Sequence, residues 1–124
     1  MRLLDSNILI YSQLSEYAYL RPFIFDQDSA VSKITQLEVL GFHRLNDEAR
    51  QYFVSCFQFI NLIEINNSII DRAILLRQQR KMSLGDAIIA ATALCYNATI
   101  ITRNVKDFAE IAHLNVITPF IVNC

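Results

Sequence analysis

Residues 2–11 read R-L-L-D-S-N-I-L-I-Y, which places one acidic residue between two apolar segments. The segment 2–5 predicts a short buried strand that ends at Asp5, and Ser6 or Asn7 can cap a helix that follows directly. A carboxylate in such an apolar setting is costly unless a partner compensates it. This stretch therefore predicts a strand, a helix and, between them, an acid that needs a partner.

The alternation of apolar strands and helices continues along the chain. Further strands are predicted at 30–32, 61–65, 98–102 and 115–118. Further helices are predicted at about 35–44, at 87–96 after a cap at Ser83, and near 106–112, and two more begin at Asn46 or Asp47 and at Asn66 or Asn67. Residues 18–28 are less regular. Short strands that are apolar on both faces indicate a parallel α/β sheet covered by helices. Ligands bind such sheets at the carboxyl ends of the strands, where Asp5 and the residues after Thr102 lie.

Length and composition limit the class of protein. The chain has 124 residues, of which 53% are hydrophobic and 19% charged, so it is long enough for one core and too apolar for disorder. No apolar run reaches the roughly 20 residues of a membrane helix, and the N-terminus lacks a signal-type segment. We therefore expect a single domain, residues 1–124, that is cytoplasmic and has no membrane partner.

The three cysteines do not indicate a disulfide framework or a zinc site. Cys56, Cys95 and Cys124 are odd in number and widely spaced. Cys56 and Cys95 fall on predicted helices and are interpreted as small core residues, while Cys124 carries no information.

Four acids stand out by their position, each beside a predicted strand end or helix start: Asp5, Glu38, Asp86 and Asp107. Each has a simpler interpretation: Asp5 as a helix cap, Glu38 as a solvated residue in the first turns of its helix, Asp86 as the acid of a capping box and Asp107 as a charge near a helix N-terminus. If the fold gathers them, mutual repulsion raises their cost. A divalent cation compensates such a cluster, and oxygen ligands favour Mg²⁺ or Mn²⁺.

The remaining charges are mildly basic. The formal net charge is −1, and it becomes +3 when the four acids are left out. Arg77, Arg80 and Lys81 suit a solvated helix end, or contact with phosphate; Arg103 follows a predicted strand and is a candidate substrate contact. The chain has no Gly-rich phosphate loop and no G-x-S-x-G motif. Phosphodiester hydrolysis assisted by a metal ion is therefore the reaction that the acids support best.

Four segments resemble the motifs of PIN-domain nucleases: residues 3–11 (LLDSNILIY), 35–40 (TQLEVL), 84–93 (LGDAIIAATA) and 101–108 (ITRNVKDF). Their order and spacing cover nearly the whole chain, and the compact length is similar to that of the VapC toxins of toxin–antitoxin pairs. The resemblance implies a Rossmann-like α/β/α sandwich with a short parallel sheet, and Mg²⁺-dependent cleavage of RNA.

The resemblance also implies roles for individual residues. Asp5 and Asp86 would be the principal metal ligands, and Glu38 would match the family's second acid. In the fourth motif an acid often follows Thr-Arg, where this chain has Asn104. Either Asn104 or Asp107 would complete the metal shell, with Ser6 and Arg103 as further contacts to metal shell or substrate.

Two kinds of partner besides RNA follow from the resemblance. A cognate antitoxin would place its carboxyl-terminal segment in the acidic cleft, and the chain would form a homodimer. The aromatic-rich stretch between Tyr11 and Phe25 is interpreted either as core or as part of a partner surface. Two other functions remain as hypotheses: a PIN-fold binding module that has lost catalysis, and a receiver-like phosphoacceptor, which would need adjacent acids after the first strand that this chain lacks.

Overall fold

The computed structural model describes residues 1–120, which leaves Cys124 outside the described residues. Within this range a parallel sheet contains β1 (Arg2–Leu4), β2 (Ser29–Ser32), β3 (Asn61–Ile63), β4 (Thr99–Ile101) and β5 (Asn115–Ile117). Their order in the sheet is β3-β2-β1-β4-β5. Leu4 of β1 is in register with Ile101 of β4, so these two strands end side by side.

Six α-helices connect the strands within residues 1–120: α1 (Ser6–Ser12), α2 (Arg21–Ile24), α3 (Lys33–Leu40), α4 (Asp47–Phe59), α5 (Asn67–Gln79) and α6 (Leu84–Tyr96). Short 3₁₀ helices span Ser15–Leu20 and Val105–Phe108. None of the described helices combines the length and apolar character needed to span a membrane.

Apolar side chains cover both faces of the sheet. Leu3 of β1 packs in one cluster with residues of α5 and α6, whereas Leu4 packs in the other with residues of α1, α2, α3 and α4. Because successive residues of a strand point to opposite faces, the two apolar neighbours in β1 bind the sheet to both helical layers. The predicted α/β/α sandwich with a short parallel sheet is confirmed.

Several predicted boundaries were wrong. The cap of α1 is Asp5 rather than Ser6 or Asn7, because β1 ends at Leu4 and the Asp5 side chain accepts a hydrogen bond from the Ser6 amide. The helix predicted at 35–44 is α3, Lys33–Leu40, which has Ser32 as its N-cap and Gly41 as its C-cap.

Three further predictions need correction. Glu38 lies in the second half of α3 and not in its first turns. The helix predicted near 106–112 is the 3₁₀ turn Val105–Phe108. Cys56 is buried as predicted, but Cys95 is exposed, because it lies on the outer side of α6.

Candidate acidic active site

The site lies at the carboxyl ends of β1 and β4. From β1 the chain continues to β2 on one side, and it returns as β4 on the other side. This is the point where a doubly wound sheet opens a crevice for a ligand. The Asp5 amide donates to the Ile101 carbonyl over 2.9 Å, so the sheet itself holds Asp5 at the mouth of this crevice.

Three donors hold the Asp5 carboxylate in place. Its Oδ1 accepts from the Ser6 amide over 2.9 Å, and its Oδ2 accepts from the Thr102 hydroxyl over 2.8 Å and from Nδ2 of Asn7 over 3.2 Å. Asp5 is only 6% exposed. A buried carboxylate with three donors has a fixed orientation, because any rotation would leave a polar group unpaired.

Asn7 and Thr102 form a bridge between α1 and the end of β4 that the sequence reasoning missed. Nδ2 of Asn7 lies 3.3 Å from Oγ1 of Thr102, and Oδ1 of Asn7 accepts from the Arg103 amide over 3.1 Å. The Thr102 hydroxyl also accepts from the Asn104 amide over 3.0 Å. The available signal was a polar side chain within two residues of Asp5 and a hydroxyl at the end of an apolar strand.

Glu38 and Asp86 approach each other through the start of α6. A Cβ added to Gly85 would lie 3.3 Å from Oε1 of Glu38, so the lack of a side chain at Gly85 lets this carboxylate lie against α6. Asp86 is in the first turn of α6, and its amide donates to the hydroxyl of Ser83, the helix cap, over 3.1 Å. Acids from two different helices thus lie near each other, close enough for the charge of Asp86 to act on Glu38.

The pKa values of three acids are raised, first by burial and then by neighbouring carboxylate charges. Burial raises the pKa of Asp5, with the charge of Asp107 adding to it and the hydrogen bond from Thr102 opposing it. Much of Glu38 is exposed, but burial of its carboxyl end raises its pKa, and the charges of Asp5 and Asp86 add to this. Burial also raises the pKa of Asp86, followed by the charges of Asp5 and Asp107.

The residues predicted to complete the site lie at its rim. Asp107 is exposed in the 3₁₀ turn, yet close enough to act on Asp5 and Asp86. Asn104 is exposed beside it, and its side chain makes no hydrogen bond to residues 1–120. Ser6 contacts Asp5 through its amide.

Arg103 turns toward an aromatic cluster instead of the acids. Its guanidinium lies 4.7 Å from the ring centre of Tyr11 and 5.5 Å from that of Phe120, and it donates to the Tyr11 hydroxyl. Such stacking holds a cation in place. The aromatic-rich stretch is therefore mixed in character: Tyr11 and Tyr17 are half-buried and in edge contact, whereas Tyr19 and Phe25 are exposed.

The donor set fits a hydrated divalent cation. Within residues 1–120, no three Asp, Glu, His or Cys side chains form a ready-made metal cage. None of the four acids makes a salt bridge in this part of the chain, so no Lys or Arg pairs directly with them. Mg²⁺ keeps several waters and needs only one or two direct carboxylates, which Asp5 and its neighbours supply.

Two openings flank the acids. One, of about 310 Å³, is largely apolar and lined by Glu38 together with Ile10, Phe42 and Phe53, among others. The other, of about 590 Å³, is charged and lined by Asp86 and Asp107 among others.

The PIN domain model matches residues 2–114. Among curated proteins, the chain is 29% identical to Ribonuclease VapC of Rickettsia bellii, over 83% of this chain and 77% of the relative. It is 28% identical to Ribonuclease VapC1 of Rickettsia felis, over 94% of each chain.

The chain is also similar to chains of solved structures. A toxin–antitoxin complex from Klebsiella pneumoniae contains a chain that is 35% identical, with a TM-score of 0.80 and coverage of 98% of this chain and 100% of that one. VapBC2 of Rickettsia felis, solved with a DNA fragment from its promoter, has a TM-score of 0.78 at 20% identity, over 94% of this chain and 97% of that one. At that identity the second likeness shows the fold alone.

Proposed function

Since this chain belongs to the PIN domain family, we propose that it is a metal-dependent endoribonuclease and the toxin of a toxin–antitoxin pair. The relatives that share most of its length are named as ribonucleases. The substrate is RNA, and the reaction is hydrolysis of a phosphodiester bond.

The observation that carries this proposal is the convergence of Asp5, Glu38 and Asp86 at the carboxyl ends of β1 and β4. Their pKa values are raised by burial and by neighbouring carboxylate charges, which include that of Asp107. Perturbed acids gathered in a crevice are typical of functional sites. A purely structural role does not account for them, because each is less stable here when ionised than in water.

Asp5, Asp86 and Glu38 would hold Mg²⁺, or Mn²⁺ in its place, with Asp107 or Asn104 completing the shell. A bound ion of this kind polarises the phosphoryl group and lowers the pKa of an attacking water. Thr102 and Asn7 keep the Asp5 carboxylate aimed into the crevice. Gly85 leaves the space in which the Glu38 carboxylate lies.

An antitoxin is the proposed protein partner. The solved relative at 35% identity is part of a toxin–antitoxin complex, and the apolar opening beside Glu38 offers a surface for a partner. Ile10 and Phe42, which line it, are 42% and 53% exposed. Leu37 and Leu84 beside the acids are 67% and 64% exposed, which favours the homodimer as well. Gel filtration with and without a co-expressed antitoxin tests both the antitoxin and the homodimer. We place the toxin and its antitoxin in the cytoplasm.

Asp5→Asn tests the reaction. The variant keeps an oxygen that can accept from the Ser6 amide but loses the charge, so we expect no cleavage of labelled RNA in Mg²⁺ and an unchanged far-UV circular dichroism spectrum. Asp71→Asn on the exposed surface of α5 is the matched control and should cleave normally. Cleavage by Asp5→Asn at the wild-type rate, from preparations free of other nucleases, would reject the proposal.

A second candidate function is a binding module with the same fold, which the uncharged Asn104 at the usual position of the fourth acid favours. Calorimetric titration with Mg²⁺ separates the two. The nuclease should bind the ion saturably, lose that binding in Asp86→Asn, and cleave RNA. If the protein does not cleave RNA at any Mg²⁺ concentration, the result would support the binding module.

A further inference from the structure

The charged opening beside Asp86 and Asp107 has basic residues on both of its walls. We call it the lysine cleft; its volume is about 590 Å³, and it is lined by Arg80, Lys81, Met82, Ser83, Asp86, Lys106, Asp107 and Ala109. One wall comes from the chain between α5 and α6, and the other from the 3₁₀ turn after β4. Cations therefore face the acids from two separate segments.

Arg80 joins the two walls, and hydrogen bonds to the backbone occupy its guanidinium group. Its Nη1 donates to the Ala109 carbonyl over 2.8 Å, and its Nη2 donates to the Glu110 carbonyl over 2.9 Å. The planar guanidinium thus ties the end of α5 to the segment after the 3₁₀ turn. This contact fixes the distance between the walls and leaves Lys81 and Lys106 as the other cations of the cleft.

Lys81 and Lys106 are available for a ligand. Both are exposed, and neither makes a salt bridge or a side-chain hydrogen bond within residues 1–120. Asp86 and Asp107 line the same cleft, but they do not pair with these lysines. An anion that enters the cleft would therefore meet two unpaired ammonium groups, one on each wall.

A polyanion needs these charges, because the acids alone would repel it. On the premise of the function proposed above, we propose that Lys81 and Lys106 bind backbone phosphates of single-stranded RNA on either side of the bond that is cut. Lysine binds phosphate as a point charge without reading the base. The contact supplies affinity and alignment, and sequence preference must come from elsewhere on the surface.

The test compares two variants that lose the same charge. Lys81→Gln with Lys106→Gln removes the proposed contacts, and Arg50→Gln with Arg72→Gln removes two exposed cations of α4 and α5 that do not line the cleft. Both pairs are made in the Asp5→Asn background, so that RNA stays intact. Binding of fluorescein-labelled oligouridine is measured by anisotropy in Mg²⁺ over a series of NaCl concentrations.

We expect Kd to rise by about 5-fold for each lysine, hence about 25-fold for the pair, which is the upper range for exposed ion pairs. The slope of log affinity against log salt should fall by about 1.4, since each phosphate contact on a single strand contributes about 0.7. The arginine pair should stay within about 2-fold of its background.

In the RNA-binding assay, three results would overturn the inference: no change in the lysine pair, an equal change in the arginine pair, or no oligouridine binding by the background. Weakened binding of an acidic peptide with unchanged RNA binding would also overturn it and point to a protein partner. Cleavage assays keep the two proposals apart. If the lysine variants without Asp5→Asn cleave with an unchanged KM, only the inference fails; if the wild-type protein does not cleave RNA, the proposed function fails.

Discussion

Thr102→Val should destabilise the folded protein more at neutral and alkaline pH than at acid pH. The Thr102 hydroxyl donates to Oδ2 of Asp5 over 2.8 Å, and both residues are buried. This bond lowers the pKa of Asp5, against the larger effect of burial, which raises it. Valine has nearly the same shape but no hydroxyl, so the substitution opens no cavity. It removes the bond to Asp5 together with those from the Asn104 amide and Nδ2 of Asn7, whose loss involves no titrating group.

The sign and size follow from the charge on Asp5. A hydrogen bond to an ionised acceptor is worth about 1.5–3 kcal/mol, against about 0.5–1.5 kcal/mol for a neutral one. Because the bond favours the ionised form, its extra contribution is present above the pKa of folded Asp5 and is lost as pH falls through that value, which is raised from 3.8. In a chain of this size, 2 kcal/mol corresponds to roughly 8 °C in Tm.

Urea unfolding of wild type and variant at about pH 8 and about pH 4 measures the difference. Thr92→Val is the matched control: Thr92 is buried, and its hydroxyl donates to the Ile88 carbonyl over 2.7 Å, so its loss involves no titrating group. Thr92→Val should cost about the same free energy at both values, about 0.5–1.5 kcal/mol. An equal cost of Thr102→Val at both pH values, or a matching pH trend in Thr92→Val, would refute the reasoning.

Three further predictions concern the site and the core. Glu38→Gln should raise Tm in metal-free buffer near neutral pH by about 2–4 °C, because it relieves repulsion worth about 0.5–1 kcal/mol after solvent screening; a fall in Tm in differential scanning calorimetry would contradict this. Gly85→Ala should displace the Glu38 carboxylate by a few tenths of an ångström, since the new Cβ would lie 3.3 Å from Oε1, and lower kcat about 3- to 10-fold while Tm stays equal or rises. Maleimide should modify Cys95 but not Cys56 in the folded protein, and peptide mass spectrometry that finds Cys56 modified first would contradict the structure.

Much of the fold was predictable because strands and acids carry strong local signals. The pairs Leu3-Leu4 and Ile100-Ile101 are apolar on both faces, which only a sheet covered on both sides accommodates. The register of β1 with β4 then follows from the topology, and it brings Asp5 beside Thr102. The position of Asp5 at the end of a predicted strand was therefore enough to place it at the carboxyl edge of the sheet.

The parts that were not predictable depend on contacts between distant segments. Asn7 looks like a helix cap in the sequence, yet its amide joins Asp5 to Thr102, a residue 95 positions away. Ser32 ends β2 and caps α3 at once, so the helix begins two residues earlier than its apolar pattern indicates. Cys95 follows a run of mostly small buried residues in α6, but it lies on the exposed side of that helix.

The acids also link stability to function. For Asp5, Glu38 and Asp86 the pKa is raised on folding, so the native chain binds more protons than the unfolded chain between the ordinary and the raised values. The free energy of unfolding therefore falls as pH rises through that window. A cation that binds the ionised carboxylates reverses this loss, since it binds the folded chain in preference. The bonds from Thr102 and Asn7 lower the pKa of Asp5 and so keep it ionised at less cost. Under the proposed function, the burial that weakens the metal-free protein is offset when the ion binds. Glu38→Gln should therefore be more stable than wild type without metal, but bind the metal more weakly.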